Sequence, residues 1–199
     1  MFKGESPIVA NSRMTGPTPP LTSRLTSPST SPDNAQADSR ATGAQDILAV
    51  VLDSNVWLDV LVFDDPHTRP IRAALERGAL EALIDARCHA ELAHVLDYPQ
   101  FQGRGTDKAA ALAALATLVR QIEPPAPPAD ARALPQCRDR DDQKFLELAR
   151  ASGAAWLVSK DRAVLKLAKR IARDFGFRIG TPDAFVAENG LAAVEPSVA

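Results

Sequence analysis

Four acidic residues occupy positions where a carboxylate needs a reason. Asp53 ends the apolar run ILAVVL (47–52), and Asp161 stands just past AAWLVS (154–159). Asp142 opens the amphipathic stretch DDQKFLELARASG (141–153), and Glu91 lies within the stretch 86–97, on one helical face with Cys88 and Val95. Four like charges gathered at one rim repel, and burial raises that cost, so the arrangement is stable only with bound cations or protonated acids. Hard oxygen donors of this kind suit Mg²⁺ or Mn²⁺. Ions so held provide an activated water, an in-line approach and charge neutralisation, which are the requirements of phosphodiester hydrolysis.

Each acid also has a plain structural reading. Asp141 or Asp142 fits a helix cap or a favourable first-turn charge, and Asp161 fits the cap of the next helix. Glu91 fits a solvated helical acid, and Asp53 fits an acceptor of backbone N–H bonds in a βα loop. Only the combination points to a site, and only if the fold brings the four together.

The elements that must position them can be read from periodicity and punctuation. Strands are expected at 47–52, 80–84 (LEALI), 154–159 and 177–180 (FRIG). Helices are expected at 55–62, at 67–78 closed by Gly78, at 86–97, and at 106–120 behind a Thr/Asp cap in an Ala/Leu-rich run. Further helices are expected at 141–153 and 161–176, each with a Gly stop, and in a short segment begun by Thr181 and Pro182. The proline-rich stretch 123–135 must be a surface loop. Strands separated by helices imply parallel pairing, hence an α/β fold: a three-layer α/β/α sandwich around a central parallel sheet of four to five strands. Ligands of such sheets bind beyond the carboxyl ends of the strands, where Asp53 and Asp161 stand.

Composition sets the remaining bounds. Residues 1–44 hold seven Ser, six Thr and six Pro with Phe2 as the only aromatic, so a disordered tail is expected there. Its prolines and its three acids (Glu5, Asp33, Asp38) fit a transit peptide poorly, and a mis-assigned upstream start is the rival explanation. The expected division is a tail at 1–44, one domain at 45–190 and a C-terminal tail at 191–199. Beyond residue 44 the chain carries 19 basic and 22 acidic residues, which argues against a broad basic nucleic-acid platform. No apolar run approaches the roughly 18 residues of a spanning helix, and there is no signal-peptide core, so a cytoplasmic protein without membrane partners is expected. Cys88 and Cys137 fit buried thiols in a reducing compartment.

Other chemistries fit less well. Glu91 and His94 have a di-iron i, i+3 spacing, but no second pair or long bundle accompanies them. The cysteines and histidines lack zinc spacing, and no phosphate-cradling glycine loop occurs. An aspartyl-phosphate enzyme would place a second acid two after the first, where this chain has Asn55.

VVLDSNVWLDVL, AELAHVLDYPQF, RDRDDQKFLELARASGAAWLVSKD and FRIGTPDAF, in this order and spacing, resemble the successive motifs of the PIN-domain family, in particular its toxin-component branch. The resemblance covers about residues 47–190. It implies a metal-dependent endoribonuclease that uses Mg²⁺ or Mn²⁺ and leaves 5′-phosphate and 3′-hydroxyl ends. It also brings an antitoxin protein and a homodimer into question as partners beside the RNA substrate. Carried over by position, the family's acids fall on Asp53, Glu91, Asp142 and Asp161, with Asn55 and Ser159 as supporting polar residues. Asp53 and Asp142 would be the main metal ligands, with Asp161 and Glu91 closing the cage directly or through water. Asp139 and Asp141 crowd Asp142, but the spacings from Asp142 to Ala149 and Asp161 fit the family best. The alternative is a catalytically silent PIN-like RNA-binding or protein-interaction module. Arg162, Lys166, Lys169 and Arg173 recur on one face of the expected 161–176 helix and could hold an RNA backbone, or simply face water.

Overall fold

The computed structural model describes residues 47–102 and 107–191; the expected tails at 1–44 and, beyond Leu191, at 192–199 lie outside them. In chain order the described elements are β1 (Leu48–Leu52), α1 (Ser54–Leu58), a π-helical turn (Asp59–Phe63), α2 (Arg69–Glu76), β2 (Leu80–Ile84), α3 (Ala86–Val95) and α4 (Pro99–Gln102). They continue with α5 (Lys108–Leu118), β3 (Val119–Gln121), α6 (Gln143–Ser152), β4 (Trp156–Val158), α7 (Arg162–Leu165), α8 (Ala168–Phe175), β5 (Arg178–Gly180) and α9 (Pro182–Glu188). The strands form one five-stranded sheet in the order β3-β2-β1-β4-β5, with every pair parallel. Helices flank it, giving the α/β sandwich that the alternation of elements implied.

The order places β1 at the centre. The chain runs outward from β1 through β2 to β3, then returns to the other side of β1 to lay down β4 and β5. The reversal between β1 and β4 is a topological switch point, and sheets of this kind bind ligands beyond the carboxyl ends of the strands at such a point. Val50, Val51 and Leu52 pair with Trp156, Leu157 and Val158, so the two strands end level. Asp53 prolongs that pairing, its N–H donating to the Val158 carbonyl at 3.1 Å.

Burial holds this register. Val50, Val51, Leu157 and Val158 are fully buried, as expected for strands covered on both faces. α6 lies across β1 and β4 through Phe145, Leu146, Leu148 and Ala149, all buried, and it also touches α3. α2 lies on β2 and touches α5 and α9. At the β5 edge Trp156 meets the Phe185 ring edge-on, with centroids 5.3 Å apart. Gly180 packs closely there, since a Cβ at that position would stand 3.0 Å from the Trp156 ring, which would have to shift by a few tenths of an ångström.

Three of the expected helices differ in the structure. The helix expected over 106–120 ends at Leu118, and Val119–Gln121 becomes the edge strand β3, paired with Ala82, Leu83 and Ile84. Val119 is extended (φ −116, ψ 150), so sheet pairing of a β-branched residue overrides the helical run before it. The single helix expected over 161–176 is two, α7 and α8, separated at Lys166 and Leu167. Likewise, the helix after Asp53 widens into a π turn that ends at Asp64 in the left-handed conformation (φ 47).

Candidate metal-binding and catalytic site

Two of the four acids occupy equivalent places in the fold. Asp53 ends β1 and caps α1: its Oδ1 accepts from the N–H groups of Asn55 (2.8 Å) and Val56 (3.1 Å). Asp161 follows β4 and caps α7, its Oδ1 accepting from Ala163 (2.5 Å) and Val164 (3.2 Å). The capping expected of such positions is therefore real. Yet in each it engages one carboxylate oxygen and leaves Oδ2 out of the cap.

Ser159 ties the two acids together. It is fully buried, its Oγ accepts from the Asp161 N–H at 3.0 Å, and its hydroxyl is placed to favour the ionised Asp53 carboxylate. Asn55, by contrast, is exposed on α1 and meets Asp53 through its backbone.

Asp142 stands at the N-cap position of α6 but makes no side-chain cap bond, so its carboxylate oxygens are not engaged by the helix amides, although its charge still suits the helix N-terminus. Its carboxyl feels the charges of Asp139, Asp161, Asp53 and Glu91, and these four neighbours identify the convergence of the acids. Burial in the first place, and these charges next, push Asp142 up to about 6. Asp53, 2% exposed, is likewise pushed up to about 6 by burial, against the pull of the Ser159 hydroxyl and the Val56 and Asn55 amides. Both carboxyls thus resist ionising without a cation nearby.

Glu91 arrives from α3 and is already engaged. Its Oε1 accepts from the Ser54 hydroxyl at 2.8 Å, and its Oε2 pairs with the Lys144 ammonium. Lys144 is mostly buried, lies over the Phe145 ring and also donates to the Asp141 carbonyl. Neither Ser54 nor Lys144 was singled out from sequence; the only signal was a small hydroxyl beside Asp53 and a lysine two after Asp142. Lys160 pairs with buried Asp59 and braces the end of β4 against the π turn. Of the basic residues expected on one face, Arg162, Lys166 and Lys169 are exposed, whereas Arg173 is paired with Asp174.

The donor chemistry fits a hard divalent cation: buried or half-buried carboxylates, two of them reluctant to ionise, and a hydroxyl. Soft donors do not compete, since burial pushes the Cys88 and Cys137 thiols up and both cysteines are free. Among the described residues no three His, Cys, Asp or Glu side chains are drawn tightly enough together to grip an ion as they stand. A separate groove of about 1170 Å³ runs under the proline-rich loop and shares Gln143 with this region, but none of the four acids lines it.

Comparison with known proteins agrees with the geometry. No curated protein matches the chain well enough to count as a relative. The sequence profile of the PIN domain, a fold typically of nucleases and commonly of divalent-metal binders, matches residues 49–163, a span that holds all four acids. The chain belongs to the PIN-domain family.

Proposed function

We propose that the protein is an Mg²⁺- or Mn²⁺-dependent endoribonuclease whose site is Asp53, Asp142, Asp161 and Glu91. The observation that carries the reading is the convergence of these acids at the β1/β4 switch point, with Asp142 free of any capping duty. Asp53, Asp142 and Asp161 would hold the ion, and Glu91, bound by Ser54 and Lys144, would act beside them. When bound, the metal supplies the activated water and neutralises charge on the phosphoryl oxygens. The chain's own part is positional. The α1 and α7 amides fix the Asp53 and Asp161 carboxylates, Ser159 spaces them, and Lys144 offsets one negative charge near the phosphate.

The test is cleavage of a single-stranded RNA by purified protein. Cutting in Mn²⁺ or Mg²⁺ that leaves 5′-phosphate and 3′-hydroxyl ends, and that stops in excess EDTA, supports the reading. Cutting that persists in EDTA with contaminating nuclease excluded would overturn it. One observation favours the second reading, a silent RNA-binding or protein-interaction module: Glu91 is committed to protein partners. RNA binding without cleavage in either metal would select it.

The motif resemblance further supports the toxin of a toxin–antitoxin pair, with a small DNA-binding protein as antitoxin and a homodimer as its own assembly. Growth arrest on expression, relieved by the product of an adjacent gene, is the expected result. The chain's division into a tail at 1–44, a nuclease domain at 45–190 and a tail at 191–199 belongs to the same proposal. No described helix is long and apolar enough to cross a membrane.

A further inference from the structure

Most cations of the described surface are spent on acids. Arg69 pairs with Asp64, Arg72 with Glu76, Lys108 with Asp97, Arg120 with Glu81, and Arg178 with Glu188. In the groove beside the site Arg87 is held by Asp85 and Glu147, while Arg150 has no acid partner among the described residues and instead donates to the Arg132 carbonyl and lies over the Phe175 ring. Even at the site, Lys160 is taken by Asp59 and Lys144 by Glu91. Exposed Arg138, Arg140 and Arg162 differ: none has an ion pair with a described residue, although acids alternate with two of them in RDRDD. Arg77 shares this freedom but precedes β2, at the opposite end of the strands.

Arg138 and Arg140 sit on a loop that is pinned. The Cys137 N–H donates to Gln143 Oε1 at 2.7 Å, the Asp141 N–H to Asp139 Oδ1 at 3.0 Å, and the Lys144 ammonium to the Asp141 carbonyl. Cys137 itself is buried, and the loop runs on through Arg140 into Asp142 at the head of α6, two residues later. Arg162 follows Asp161 at the start of α7. The pinned backbone fixes where these side chains start, and their planar forks match phosphate oxygens.

We propose that Arg138 and Arg140 on the pinned loop beside Asp142, and Arg162 beside Asp161, hold the backbone phosphates of single-stranded RNA that flank the scissile bond. The proposal rests on the nuclease reading. These cations counter the repulsion between RNA and the acids, and they position the strand without taking part in chemistry. Lys166 and Lys169, also without ion pairs to described residues, extend the track along α7 and α8.

The test is fluorescence anisotropy of a labelled single-stranded RNA in EDTA, read at several salt concentrations, for wild type and Arg138→Ala/Arg140→Ala. Each phosphate contact on a single strand adds about 0.7 to the salt slope, so the double variant should lose roughly 1 to 1.5 of it and bind on the order of tenfold more weakly. Arg138→Lys/Arg140→Lys should recover the slope but only part of the affinity. The thermal shift on adding Mn²⁺ should match wild type in every variant, because the acids are intact. An unchanged slope and affinity in the Ala variant, beside a wild type that binds and cuts RNA, would overturn this inference alone. A wild type that neither binds nor cuts RNA would remove it together with the nuclease reading.

Discussion

Asp53 combines two roles that compete for its charge. The α1 amides favour its ionised form, while burial at 2% exposure disfavours it more strongly, so its folded pKa rises from 3.8 to about 6. A carboxyl whose folded value exceeds its unfolded value contributes stability that is complete below about pH 4 and is lost as pH rises through about 6. Asp53→Asn removes that loss and keeps a competent helix cap. In EDTA the variant should therefore melt higher than wild type at pH 8, by at most about 3 kcal/mol, and the difference should vanish near pH 4. Saturating Mn²⁺ should reverse the order, because metal stabilises only the protein that binds it. Lys144 acts in the opposite sense. Lys144→Met leaves the half-buried Glu91 without its counter-charge and should cost roughly 1 to 3 kcal/mol in urea unfolding at pH 7. Adding Glu91→Gln should restore most of that loss, which a mere packing defect would not allow.

At the scale of elements, the sequence was legible wherever a signal was local. LEALI is β2 as read, Gly153 and Gly176 close α6 and α8 in the left-handed conformation, and Thr181 caps α9. Asp53 and Asp161 could be found because both follow apolar strand runs. What stayed hidden depends on distant partners. β3 has no turn before it and becomes a strand only by pairing with β2, and the amphipathic pattern runs on unbroken across the joint between α7 and α8. Ser54 and Glu91 are 37 residues apart in the chain, so no spacing rule could pair them. One packing rule is also invisible locally: Gly180 is a strand residue of ordinary backbone, yet the Trp156 ring leaves it little room for a methyl group. Gly180→Ala should cost roughly 1 to 3 kcal/mol in urea unfolding, since the indole is buried and cannot yield freely.

For the whole molecule, the described residues between 47 and 191 belong to one compact unit, which contains the four site acids and the arginines beside them. A chain beginning at Ala44 should therefore keep the melting temperature and the metal response of the full protein; loss of soluble expression would contradict that. The net charge of −2 is no obstacle to an RNA substrate, because local charge decides, and Arg140 and Arg162, without ion pairs to described residues, are close in the chain to Asp142 and Asp161. The sheet order brings the ends of β1 and β4 together, and with them two acids 108 positions apart, Asp53 and Asp161, bridged by Ser159. Asp142 completes the group from the head of α6, where it makes no side-chain cap bond. The most direct test is the rate at which Asp142→Asn cleaves a labelled single-stranded RNA in Mn²⁺, measured beside wild type. The account predicts a fall by orders of magnitude, with stability in EDTA unharmed and with Asp53→Asn/Asp142→Asn little worse than either single variant, because the acids act as one unit. Cleavage by Asp142→Asn at the wild-type rate would contradict it.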